Sequence, residues 1–185
     1  ELPDPSSPSD KDWAAVTIPQ ISWGTIDTRY AKHRLPQLKK QQLTTLKGWR
    51  GERVNAQAVV WTGTEVKDLN FSFTDFKDKK GNSLSDEAFK AGFIRYVMTD
   101  ELNKDGRGAC GHRQAVDYDS LLVADPIDTN LKSMSVPART VQPIWVQCWI
   151  PQSATSGTYK GALLVKDGSR LLQQLNLEIL VSSRE

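Results

Sequence analysis

The sequence predicts an all-β fold: a two-sheet antiparallel β-sandwich of roughly eight to ten strands with one long loop excursion. Three observations predict it. Apolar residues recur at every second position over several separate stretches, the period of a strand with one buried face. Clusters of Gly, Asp, Asn and Thr separate those stretches and supply turn chemistry. Helical periodicity is scarce, and no candidate helix approaches the average length of about 11 residues.

The chain opens on "ELPDPSSPSD", rich in Pro and Ser and poor in apolar groups. Such a segment cannot pack and reads as a tether. A flexible tail is expected over residues 1–12 and a sandwich domain over 13–185. Strands are counted from Ile18. In "VNAQAVVWT", Val54, Ala56, Ala58 and Val60 share one face, against Asn55, Gln57, Val59 and Trp61. In "DLNFSFTDF", Leu69, Phe71 and Phe73 lie together. "VQPIWVQCWI" alternates Ile144, Val146, Cys148 and Ile150 with Trp145, Gln147 and Trp149. "RLLQQLNLEILV" aligns Leu171, Leu175, Leu177, Ile179 and Val181. Tyr159, Gly161, Leu163 and Val165 share a face, with Gly161 allowing close approach of an aromatic ring.

Turns are assigned in the same pass. Gly48 to Gly51 folds "QQLTTLK" back on "RVNAQAVVW", Thr62-Gly63-Thr64 closes the next hairpin, and Lys80-Gly81-Asn82 and Asp167-Gly168 mark two more. Pro143 inside a strand pattern suggests an edge or a bulge. A helix-like start lies at Ser85-Asp86-Glu87, and one helical turn is expected over Tyr118 to Leu122. The long interruption runs from Asp100 to Asp128.

Bulk numbers exclude several functions. A chain of 185 residues buries enough apolar surface to fold without metals or disulfides. Twenty-four Lys and Arg against 22 Asp and Glu give a net charge of +2, too little for a nucleic-acid partner. The Lys77, Lys79, Lys80 run reads as a solvated hairpin tip. No apolar run nears the ~20 residues that cross a bilayer. The two cysteines, Cys110 and Cys148, permit a disulfide without showing one. The chain begins at Glu1 rather than Met. Its start is therefore expected to have been trimmed, by a cell or in cloning.

The search for chemistry yields no catalytic, metal or cofactor assignment. "ACGHR" brings Cys110 and His112 together, but no CxxC or HxxxH accompanies them. Adjacent loop positions are not aligned for proton transfer. "DELNKDGRG" offers oxygen ligands but not the twelve-residue calcium loop. The Asp117, Asp119, Asp125 and Asp128 carboxylates sit where acids cap turns, although two spaced acids would suffice for glycoside hydrolysis. There is neither a phosphate-binding Gly loop nor a GxSxG elbow. Of six tryptophans, Trp145 and Trp149 fall on one face of one strand, roughly 13 Å apart by strand rise. They suit packing against a neighbouring surface, or a platform for sugar rings.

Several stretches in order, "WGTIDTRYAKHRLP", "WRGERVNAQAVVWTGTEVKDLNFSFTDFKDKKG", "GFIRYVMTDE" and "RTVQPIWVQCWIPQSATSGTYKGALLV", resemble the N-terminal β-sandwich domain of bacterial proteins related to glycoside hydrolase family 123. The most specific pieces are Gly51-Glu52-Arg53, "QPIWV", and Gly157 to Gly161. The resemblance implies a sandwich that precedes a (β/α)₈ catalytic barrel in a periplasmic, cell-surface or secreted enzyme, its signal sequence removed, acting on N-acetylgalactosaminides. It implies catalytic acids in that barrel, so none is assigned to this chain.

The resulting reading is a non-catalytic accessory domain whose partner is the C-terminal catalytic domain of the same polypeptide. Trp145, Trp149, Cys110, His112 and Arg113 are the candidate contact residues, for that neighbour or for sugar. An apolar patch is expected near the 100–128 excursion, where "GACGHR" would reach the neighbour. The alternatives are an independent carbohydrate-binding module with glycan as its partner, or an adhesin-like sandwich with a protein partner.

Overall fold

Alternation of apolar and polar residues builds two facing sheets in the computed structural model, which describes residues 10–99 and 121–183. A short helix α1 (Asp10–Ala14) comes first. The strands are β1 (Gln20–Gly24), β2 (Leu43–Gly48), β3 (Arg53–Thr62), β4 (Val66–Phe73), β5 (Phe76–Lys77) and β6 (Ser83–Leu84). They continue with β7 (Phe89–Thr99), β8 (Leu121–Asp128), β9 (Ser133–Val136), β10 (Thr140–Trp149), β11 (Gly157–Asp167) and β12 (Arg170–Val181). One sheet has the order β1-β3-β10-β7-β8. The other runs β2-β12-β11-β4-β9, with the short hairpin β5-β6 attached to β11.

The main core lies between the sheets. Val54, Ala56, Ala58 and Val60 of β3 and Ile144, Val146 and Cys148 of β10 meet Leu163 and Val165 of β11 and the alternate residues Leu175 to Val181 of β12. Each large apolar side chain buried this way contributes about 1.5–3 kcal/mol. That exceeds the roughly 1 kcal/mol of a typical hydrogen bond, so burial sets the strand faces. Trp23 adds a polar staple across the sheets, its indole Nε1 donating to the Asn176 carbonyl of β12 at 2.8 Å.

The opposite face of β3 is buried too. Val59 and Trp61 pack with Val141 of β10 against Trp13 and Tyr30, forming a second apolar cluster. The N-terminal segment therefore covers part of the outer face of the first sheet. Trp13 donates its Nε1 to the His33 carbonyl at 3.1 Å, and the chain passes so close to the β3–β4 turn that a Cβ on Gly63 would lie 2.0 Å from the Val16 carbonyl oxygen. The expected tail over 1–12 thus overlaps α1, which begins at Asp10.

The sandwich agrees with the sequence-based expectation; several details differ. Twelve strands are present among the described residues, two of them only two residues long. β2 pairs in parallel with β12, Leu43 opposite Asn176 through Gly48 opposite Val181. Neither Gly48–Gly51 nor Thr62–Thr64 closes a hairpin, because β2 and β4 belong to one sheet and β3 to the other. Both turns carry the chain across an end of the sandwich. Lys80-Gly81-Asn82 and Asp167-Gly168 do close hairpins, with Gly81 at φ 86° and Gly168 at φ 59°. Ser85 caps a 3₁₀ turn over Asp86–Ala88. The helical turn expected over Tyr118 to Leu122 is contradicted at its described end, where Leu121 and Leu122 open β8.

Pro143 is not at an edge: β10 is the central strand of its sheet. Its ladder with β7 runs only from Ile144 to Cys148. Just beyond it, the Gln142 carboxamide donates to the Ile94 carbonyl at 2.9 Å and to the Pro143 carbonyl at 2.8 Å. The glutamine amide thus serves a carbonyl next to the proline, which has no N–H to give. Leu171 is also not on the core face. The register slips between Val165 and Lys166, whose partners are Gln173 and Leu171, and the bulge turns Leu171 out to 52% exposure.

Candidate functional site

The turn Trp49–Glu52 carries the chain from one sheet to the other, and its neighbours follow from that crossing. Gly51 has φ 79°, a left-handed backbone that glycine adopts without penalty. Its amide donates to the Ile150 carbonyl at 2.8 Å, and the Ile150 amide returns a bond to Glu52 at 2.9 Å. The Glu52 carboxylate accepts from the Trp49 amide at 2.8 Å. The turn is thereby tied to the end of β10 and closed on itself.

Two large aromatics stand out from this pole. Trp49 is 57% exposed and Trp149 is 54% exposed. Trp149 is opposite Arg53 in the β3–β10 register; the guanidinium lies 4.7 Å from the indole centroid, a cation–π contact. The indole Nε1 donates to the Gly51 carbonyl at 3.1 Å. Gly51, Glu52 and Arg53 thus respectively bend the chain, cap the turn and hold a tryptophan.

The turn separates two grooves. One, of about 670 Å³, is lined by Lys47, Gly48, Trp49, Leu180, Val181 and Ser182 among others. It lies where β12 ends and the chain leaves the sheet, the Ser182 amide donating to the Gly48 carbonyl at 2.9 Å. The other, of about 440 Å³, is lined by Trp149, Gly51, Ser85, Glu87, Pro151 and Gln152, with Ala88 at its base.

The structure treats the sequence-derived contact residues unequally. Trp149 lies at this pole. Trp145 shares its sheet face but is half-buried mid-strand, opposite Gln57 and Gly92, and lines neither groove. Gln147 stands between the two tryptophans and donates to Asn55 Oδ1 at 3.2 Å, so they do not form one continuous aromatic platform. Cys110, His112 and Arg113 lie outside the described residues. The ends of their segment, Thr99 and Leu121, pair with each other. They lie at the far end of the sandwich, near Thr140 at the start of β10, where the Tyr96 hydroxyl donates to the Val141 carbonyl. The core of the patch expected near this excursion falls outside the described residues; at its described edge Val97, Met98 and Ile127 are exposed, and Trp49 is exposed at the opposite pole.

Trp49, Glu87 and Gln152 were not singled out by sequence reasoning. A tryptophan between Gly48 and Arg50-Gly51, inside a tight turn, was the available signal for Trp49. Glu87 and Gln152 look like any surface polar residue until the fold brings them together. Cys148 is a free thiol, fully buried against the main core. Burial pushes its pKa up to about 12, so it stays neutral and unreactive near neutral pH. Among the described residues, no group of three or more His, Cys, Asp or Glu is placed to hold a metal ion.

Residues 23–167 match the family described as the glycoside hydrolase 123 N-terminal domain. The chain belongs to that family. Among solved structures, this family 123 N-terminal domain is similar to a family 123 glycoside hydrolase from Clostridium perfringens, solved in a study of glycolipid glycan hydrolysis. The TM-score is 0.72 at 18% identity, over 90% of this chain and 28% of that one. At that identity the likeness shows the fold, and the present chain spans 28% of that protein's length. Looser likenesses exist to the N-terminal domain of PorA (TM-score 0.40, 8% identity, 90% of this chain and all of that one). A PapD-like domain of human CEP192 is comparable (TM-score 0.41, 12% identity, 83% and 96% covered). These two carry no functional argument. No protein of curated function matches the sequence.

Proposed function

We propose that this family 123 N-terminal domain is the non-catalytic accessory domain of a longer, secreted or surface-located glycoside hydrolase acting on N-acetyl-β-galactosaminides. Its work is to pack against the C-terminal catalytic barrel of the same polypeptide and to support it. The family supports the pairing with a hydrolase. One observation supports the mode of packing: the groove beside Trp49 is lined by the last residues of β12 and by Ser182. Any domain following Ser183 is tethered at this groove. An exposed tryptophan there is the kind of anchor that carries interface energy, and half-buried Leu180 beside it adds apolar area.

The test is Trp49→Asp in the chain extended through its downstream domain. Calorimetry should resolve the single joint unfolding transition of the parent into two, while the 185-residue domain alone keeps its Tm within about 2 °C, as expected for a surface change. An extended chain whose unfolding is insensitive to Trp49→Asp refutes docking through this groove.

A further inference from the structure

The second groove has a chemistry of its own. Trp149 is held from one side: Arg53, its partner on β3, covers one face of the indole at 4.7 Å, and the Gly51 carbonyl fixes its edge at 3.1 Å. β10 lies between β3 and β7. The indole face turned away from Arg53 therefore looks toward the Ser85–Ala88 turn leading into β7, across the groove of about 440 Å³. The ring is already held by these two contacts before any ligand arrives, which lowers the ordering cost of binding.

The polar groups around that face are unspent. The side chains of Glu87 and Gln152 make no hydrogen bond to any described residue, although both line the groove. Gln152 lies over the turn, where a Cβ on Gly51 would come within 2.6 Å of its Oε1. Ser85 Oγ accepts from the Glu87 amide at 3.2 Å, and its hydroxyl proton remains available to donate. Beyond Ser85 and Pro151 a second hollow of about 300 Å³ continues past Asn82, Ser83 and Ser153, its amide and hydroxyl groups interleaved with the apolar Leu84 and Ala154.

We propose that this groove is a saccharide-binding site, taking one pyranose ring on the open face of Trp149 and a second sugar unit in the hollow beyond. A pyranose presents an apolar C–H face and an equatorial fringe of hydroxyls. The indole receives the first. The Glu87 carboxylate accepts from sugar hydroxyls, and the Gln152 carboxamide both donates and accepts. The competing ligand classes fit worse. A nucleotide would stack equally well, but its phosphates would meet the Glu87 carboxylate, with the Arg53 charge on the far side of the ring. An apolar peptide would strip water from Glu87 and Gln152 without replacing their hydrogen bonds. This site lies across the Trp49–Glu52 turn from the proposed docking groove and does not depend on it.

The test is titration of the 185-residue chain with methyl β-galactopyranoside, N-acetylgalactosamine and lactose, with glycerol as the control. Binding is read by calorimetry and by the NMR signal of the Trp149 indole N–H, identified by its absence in Trp149→Phe. Monosaccharide affinity is expected on the order of millimolar, as befits a small ligand on one platform, with lactose several-fold tighter. Trp149→Ala should weaken binding about tenfold or more, and Glu87→Ala and Gln152→Ala each about threefold to tenfold. Trp49→Asp should change nothing here, which separates this result from that of the docking test. Trp149 is exposed, so its variants are expected to fold; Glu87→Ala provides the same reading should they not. Absence of an indole shift at about 20 mM sugar, an equal shift with glycerol, or undiminished binding by both Trp149→Ala and Glu87→Ala overturns the proposal.

Discussion

Gly161→Ala should destabilise the domain, and the sign of the effect is diagnostic. A Cβ at position 161 would lie 2.6–2.7 Å from three ring atoms of Phe76, where ordinary contact begins at 3.4 Å. The ring would have to retreat by about 0.8 Å, the difference between those distances. It has nowhere to go. Phe76 is 1% exposed and stacks on Phe89 at 4.0 Å between centroids, with Phe73 edge-on at 6.4 Å. Overpacking of this kind costs about 1–3 kcal/mol. For a chain of this size each kcal/mol lowers Tm by about 2–4 °C, so the expected fall is about 2–12 °C. Gly161 is not among the positive-φ glycines, so backbone strain adds nothing. Without the clash, alanine would stabilise by about 0.4–1 kcal/mol through the unfolded state. Thermal melts followed by circular dichroism decide between the two signs. Phe76→Leu in the same chain should relieve the clash and give a coupling of about 1 kcal/mol or more. A Tm that rises with Gly161→Ala, or a strictly additive double variant, refutes the packing described here.

Two further predictions concern the cores. Trp13→Ala should cost about 3–5 kcal/mol, because Trp13 is 2% exposed and closes the cluster over Val59, Trp61 and Val141; urea unfolding measures it, and a loss below about 1 kcal/mol would show the N-terminal segment to be loosely attached. The Cys148 thiol should resist a thiol reagent at pH 8 in the folded protein and react on unfolding. Its folded pKa of about 12 lies above an ordinary value near 9, so the stability it confers as a neutral thiol is complete below pH 9 and is lost as pH rises through 12. Cys148→Ala should accordingly flatten the decline of the urea midpoint over that window, and identical slopes would contradict the burial.

The two-sheet architecture was legible because strand faces obey a period of two. The inward faces of β3, β10 and the later part of β12 agree with the structure residue by residue. The close approach at Gly161 was legible for a similar local reason: a glycine interrupts an otherwise apolar face beside aromatics. What escaped was non-local. Glycine-rich turns reverse a chain equally well within one sheet or between two, so Trp49–Glu52 and Thr62–Thr64 read as hairpins. The parallel pairing of β2 with β12 depends on where residues 25–42 lead the chain, which no alternation records. Leu171 obeys the alternation in sequence and breaks it in space, because Leu172 is an extra residue of β12 opposite the Val165–Lys166 step and shifts the residues before it. Glu87 and Gln152 are 65 residues apart and become neighbours only through the pairing of β7 with β10.

The stretches that carry the family likeness have structural jobs. Gly51-Glu52-Arg53 turns the chain between sheets and pins Trp149. Gln142 serves carbonyls beside Pro143. Tyr159 caps its own strand entry, its hydroxyl bonded to the Thr155 carbonyl at 2.9 Å, and Gly161 admits Phe76. Each is a point where geometry leaves little choice of residue, so such points make a fold recognisable at low identity. They say little about which molecule meets the surface. That information lies in side chains that the fold leaves turned outward: exposed Trp49, the open face of Trp149, and Glu87 and Gln152, whose side chains have no hydrogen-bond partner among the described residues. All four flank a single turn. On the two proposals made above, the same bend that hands the chain from one sheet to the other also sets the surface for a partner domain apart from the surface for a sugar.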